Sequence, residues 1–120
     1  MATPTVWLKI PTDLTEDVSI LHRGMDADDV PLHVLQEGVG GLIEYAFHEL
    51  QGGEELIVNE EGLMYGMPVN IRAIAASGIR QMLVGDAVLQ VPFSELESHT
   101  LAMDVITGML RAATKAAEEE

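Results

Sequence analysis

The sequence predicts an α+β fold: a mainly antiparallel sheet of four to five strands packed by two to three helices, with a long C-terminal helix. Three observations carry this. Short segments alternate apolar and polar residues. Clusters of Gly, Pro, Asp and Asn separate them at turn-length spacing. The C-terminus holds one long run without proline, in which apolar residues recur every three or four positions. At 120 residues the chain is expected to form a single domain, large enough to bury roughly two thirds of its unfolded surface.

The first element is “TVWLKI” (5–10), where Val6, Leu8 and Ile10 alternate with Thr5, Trp7 and Lys9; Pro11 closes this strand. The polar stretch after it is punctuated by Asp and Gly, with a short irregular or strand-like “VSILH” inside it. “DDVPLHVLQEGVGG” reads as a short helix with Asp29 as cap, Pro31 near the first turn and Gly40–Gly41 as its end. “LIEYAFHEL” (42–50) is a strand, and “EELIV” (54–58) returns beside it after Gln51-Gly52-Gly53. Asn59-Glu60-Glu61-Gly62 fits a type I turn with glycine in the left-handed position, joining “LIVN” to “LMYG” as a second hairpin. Gly66 and Pro68 stop that strand, “VNIRAIAAS” is helix-like and ends at Gly78, and “MLVGDAVLQV” (82–91) is the last strand, interrupted at Gly85.

The C-terminal helix, about 94–118, opens with the pattern of a capping box, Ser94 and Glu97. One apolar line runs through Leu96, His99, Met103, Ile106, Leu110, Ala113 and Ala117, and a second through Leu101, Val105, Met109, Ala112 and Ala116. The line through Glu97, Thr100, Asp104, Thr107, Arg111, Thr114 and Glu118 is polar throughout. So wide an apolar face has two readings: one broad intrachain surface, or a second line (Leu101, Val105, Met109, Ala112) that meets a partner chain.

Composition narrows the chemistry. An apolar share of 48% and a charged share of 22% are those of an ordinary globule, and the absence of cysteine excludes disulfides, thiolate metal sites and cysteine nucleophiles. No apolar run approaches the ~20 residues of a membrane span, and “MATPTVWLKI” lacks the regions of a secretory signal, so a cytoplasmic protein without membrane contact is expected. Twenty carboxylates against six cations leave a net charge of −14, which repels nucleic acid and anionic lipid. That acidity reads as solubility, as salt adaptation, or as mimicry of a phosphate array.

No catalytic pattern assembles. His22, His33, His48 and His99 stand apart in sequence, and Glu44 and His48 would lie ~13 Å apart along one strand, so no metal site or cofactor is expected. There is no GxSxG, no P-loop and no GxGxxG. Neighbouring carboxylates on strands and turns face apart, and an enzyme is not expected. What remains is Asn70, Arg72 and Arg80, near a possible helix start after Pro68, where an arginine and an amide could hold a carboxylate or phosphate. The competing reading has Asn70 bonding local backbone and Arg72 pairing with Glu60, Glu61 or Asp86. The docking reading needs Arg72 to project outward.

The segments “LQEGVGGLIEYAF”, “IVNEEGLMYGMPVNIRA” and “LVGDAVL” resemble a family of small, uncharacterised phage and plasmid proteins, domain of unknown function 3846. The matching positions run from Leu35 to Val88, within about 34–91. The resemblance carries no catalytic residues, and implies an accessory protein of a mobile genetic element acting in a host cytoplasm. The acidic segment from 12 to 29 and the extended C-terminal helix depart from the pattern and are expected to carry the specific role, such as assembly. The functional expectation is a non-enzymatic binding module that modulates a host process, a homo-oligomer that docks a host protein or small anionic ligand, a nucleotide included, at Asn70, Arg72 and Arg80. The alternative is an acidic decoy or DNA mimic that occupies a host DNA-binding enzyme, itself without direct nucleic-acid binding.

Overall fold

The structure is a computed structural model and describes residues 3–50, 54–77 and 81–119. The predicted α+β class holds. Five strands, β1 (Thr5–Ile10), β2 (Ser19–Gly24), β3 (Ile43–Leu50), β4 (Glu54–Asn59) and β5 (Ala87–Pro92), form one antiparallel sheet in the order β2-β1-β5-β4-β3. Two hairpins thus flank a central strand that comes last in the chain. The helices are α1 (Leu32–Val39), α2 (Ile71–Ser77) and α3 (Leu96–Glu118), the last preceded by a 3-10 turn over Phe93–Glu95.

Strand alternation sorts the core into two. Val6, Leu8 and Ile10 of β1, Leu56 and Val58 of β4, and Leu89 and Val91 of β5 face α2 and α3, where Ala73 and Met103 meet them. The opposite parity, Trp7, Ile57 and Val88, meets Leu35 and Val39 of α1. A sheet covered on both faces explains why β5 is apolar nearly throughout rather than alternating. Trp7 is fully buried, and its indole N–H donates to Gln90 Oε1 at 2.9 Å, so the one polar atom of that ring is satisfied.

Several local expectations are corrected. α1 begins after Pro31 without a side-chain cap; the Asp29 carboxylate accepts from the Met25 N–H instead. Its end is as expected, with Gly40 left-handed at φ 77°. The second hairpin does not form: residues 60–66 are a succession of turns. The left-handed glycine there is Gly66, not Gly62, which is needed for a different reason, since a Cβ on it would sit 2.9 Å from Val84 Cγ2. Ser94 and Glu97 form no capping box, because the 3-10 turn places Glu95 at the N-cap of α3 with no side-chain bond. The polar line of α3 is broken as well, since Thr107 is buried beside Met103. The expected turn at 51–53 and the helix end at Gly78 lie outside the described residues.

Candidate functional site

The segment after β4 is organised by two asparagines. Asn59, at the end of β4, donates from Nδ2 to Val39 O at 3.2 Å and accepts the Glu61 N–H on Oδ1 at 2.8 Å. It thereby joins the end of α1 to the turns that follow, and Gly41 is glycine because a Cβ there would lie 2.8 Å from Asn59 Nδ2. Asn70 caps α2: its Oδ1 accepts the Ala73 N–H at 3.0 Å. Its Nδ2 donates to Ile10 O at 2.8 Å and to Gly85 O at 3.0 Å, and its own N–H donates to Leu83 O. One buried amide therefore holds together the end of β1, the approach to β5 and the start of α2.

Arg72 does not project outward. It is fully buried, and Nη2 donates to Pro11 O at 2.7 Å and Asp13 O at 2.8 Å. Its partners are these carbonyls, not Glu60, Glu61 or Asp86. Nε and Nη1, also buried, have no hydrogen-bond partner among the described residues. Burial pushes the guanidinium pKa down, and Arg111 adds to that, while Asp17, Asp13 and Glu16 pull it back up. Arg111 on α3 grips the same loop, donating to Leu14 O and pairing with Asp17 at 3.0 Å. Two arginines thus pin the β1–β2 connection to the helices. Arg80 lies outside the described residues. Asp86 pairs with Lys9 at 3.5 Å and accepts the Thr12 N–H at 3.0 Å.

Two open clefts lie elsewhere, at the C-terminal end of α1. One of about 510 Å³ is lined by Gln36, Gly40, Gly41, Leu42, Asn59, Glu61 and Tyr65. A second of about 250 Å³ shares Gly40 with it and extends to Glu37, Met67, Pro68 and Asp86. Tyr65 and Leu42, in the lining of the first, are exposed, Tyr65 by about two-thirds and Leu42 by about half, and Leu63 and Met64, equally exposed, directly precede Tyr65 in the same run of turns. Glu61 accepts a hydrogen bond from the Tyr65 hydroxyl and, by that bond and by its charge, raises the phenol pKa above its ordinary value. Reading “LMYG” as a strand hid these residues. The signal that finds them is the bracket Gly62–Gly66, which leaves three apolar residues too few positions to pair as a strand.

On the α2–α3 side, His99 Nε2 lies 2.8 Å from Oε1 of the buried Glu54, fastening the start of α3 to β4. Glu54 Oε2 has no partner among the described residues. Among those residues no three His, Cys, Asp or Glu side chains gather to hold a metal ion, and no helix is long and apolar enough to cross a membrane. Of the four α3 residues suggested as an interface, Leu101, Val105, Met109 and Ala112, all are exposed.

Sheet and clefts together define the class: a small three-layer α+β domain, helices on both faces of an antiparallel sheet, with two open clefts at the C-terminal end of α1. More particularly, the chain belongs to the family described as Domain of unknown function (DUF3846), whose model matches residues 15–109. The match is wider than the segment that carried the resemblance. Most of the acidic segment and α3 as far as Met109 fall within it, so these are not additions to the family domain. No curated protein and no solved structure matches the chain.

Proposed function

We propose that this protein is a non-enzymatic accessory binding protein of a mobile genetic element, and that its working surface is the pair of clefts around Gly40. The carrying observation is the combination found there: exposed Leu42 and Tyr65 line one cleft together with Glu61, Glu37 and Asp86 line the other, and the exposed Leu63 and Met64 directly precede Tyr65 in the same run of turns. Such a surface suits a host protein segment that presents apolar and cationic side chains, and opposes an anion. The small-anion reading, with a nucleotide as one version, loses its support at Arg72, whose donors turn inward and which lines neither of these clefts.

A phosphate-mimicking decoy is the weaker alternative. It wants carboxylates ranked along one surface. Here Asp13, Glu16 and Asp17 precede β2 and Asp26, Asp28 and Asp29 follow it, at opposite ends of one strand, while Glu37 rides on α1 and Asp104 on α3, across the sheet.

An NMR titration separates the readings. A short peptide of alternating lysine and leucine is expected to shift the amides of residues 40–42 and 60–66, more weakly at high salt. Adenosine triphosphate and inorganic phosphate are expected to leave the spectrum unchanged. Saturable nucleotide binding, with no response to the peptide, would refute the cleft assignment.

A further inference from the structure

α3 is long and barely anchored. Its 23 residues extend ~35 Å, yet only Met103 and Thr107 are fully buried. From Arg111 to Glu119 every residue is exposed. A helical segment that short is marginal in water without something to pack on. Along its outer side Leu101, Val105 and Met109, each around 60% exposed or more, lead into Ala112 and Ala116 at spacings of three and four. Gly108 leaves the middle of this strip open, with nothing within 4 Å of where its Cβ would be.

The strip is graded, large residues in its first half and alanines in its second. Reversing a second copy against it sets large against small throughout: Leu101 over Ala116, Val105 over Ala112, with Met109 near the axis. A parallel copy would crowd Leu101 on Leu101 and leave a gap at Ala116. Charge selects the same direction. Asp104 and Lys115 lie on one flank of the strip about three turns apart, so a reversed copy brings each against the other. We infer that α3 pairs antiparallel with α3 of a second copy of this chain, forming a two-fold dimer distinct from the clefts around Gly40. The contact is only a few turns long, smaller than the standard ~1,600 Å² interface, so the dimer should dissociate on dilution.

Sedimentation of the full chain is expected to show this concentration-dependent dimer, and Val105→Glu to give a folded monomer. The chain has no cysteine, which makes disulfide trapping clean. Under mild oxidation Met109→Cys should link to itself, and Leu101→Cys mixed with Ala116→Cys should link to each other, while Leu101→Cys alone should not. Asp104→Lys should weaken dimerisation about fivefold, and adding Lys115→Asp should restore it. A wild-type monomer at every concentration overturns the proposal. So does self-linking of Leu101→Cys, which would mark a parallel or unrelated contact, or a charge swap that fails to rescue.

Discussion

Asn70 shows how one side chain can hold three segments at once, and how a polar residue near a possible helix start can be misread as a site. Asn70→Ala would remove the cap of α2 and strand the carbonyls of Ile10 and Gly85 in the core. At ~1–3 kcal/mol for each buried group left unpaired, the loss should be roughly 3 kcal/mol or more, read from the midpoint of urea denaturation. Asn70→Asp should do no better, because a carboxylate would then face two carbonyls. Tyr65 gives the matching test on the surface. Its pKa is raised first by the hydrogen bond to Glu61 and then by that carboxylate's charge. A raised folded value means the bond's contribution is complete below the unfolded phenol pKa and is lost as pH climbs through the folded one. Ultraviolet titration should therefore show Tyr65 ionising later than free tyrosine, and Glu61→Gln should bring it earlier. The reading of Asn70 as a partner of local backbone holds for the Ala73 N–H alone, since its Nδ2 reaches the distant carbonyls of Ile10 and Gly85. Nothing local, however, could reveal that Arg72 reaches Pro11 and Asp13, sixty positions back along the chain.

At the scale of elements, what was legible is what periodicity reports. β1 has the boundaries that alternation assigns it, β3 starts one residue later than expected, and α1 stops at its glycine pair. What was not legible depends on tertiary choice. Ser94 followed three residues later by Glu97 satisfies the capping pattern, but the chain leaves β5 through a 3-10 turn and bypasses it. The rotation of α3 is the one its first apolar line indicates, since Leu96, Met103 and Ile106 pack on the core, but Thr107 on the polar line is buried next to them, which the pattern alone does not show. His99 and Glu54 decide part of that rotation. His99→Leu would leave the Glu54 carboxylate buried without its partner and should cost about 3 kcal/mol by thermal or urea unfolding. The double substitution Glu54→Leu with His99→Leu should recover most of that loss, since a packed apolar pair replaces the ionisable one.

For the whole molecule, the decisive feature is the strand order. β5 pairs with β1 on one side and β4 on the other, so it alone unites the two hairpins into one sheet. A chain ending at Ser77 retains four strands, α1 and α2, yet has no strand to join its halves. It should show no cooperative unfolding transition and only residual β-sheet circular dichroism. Adding back residues through Pro92 should restore a transition, and α3 should raise its midpoint further through Met103. The apolar run at 82–91 predicts a strand, of which Ala87–Pro92 forms one after the break at Gly85; its central place was not readable, because order within a sheet is a property of pairing and not of any segment. The same order bears on biosynthesis. A nascent chain can make each hairpin as it leaves the ribosome, but neither finds its partner until Pro92 has cleared the exit tunnel, so the translating polypeptide carries first one half-sheet and then two with exposed edges until β5 arrives.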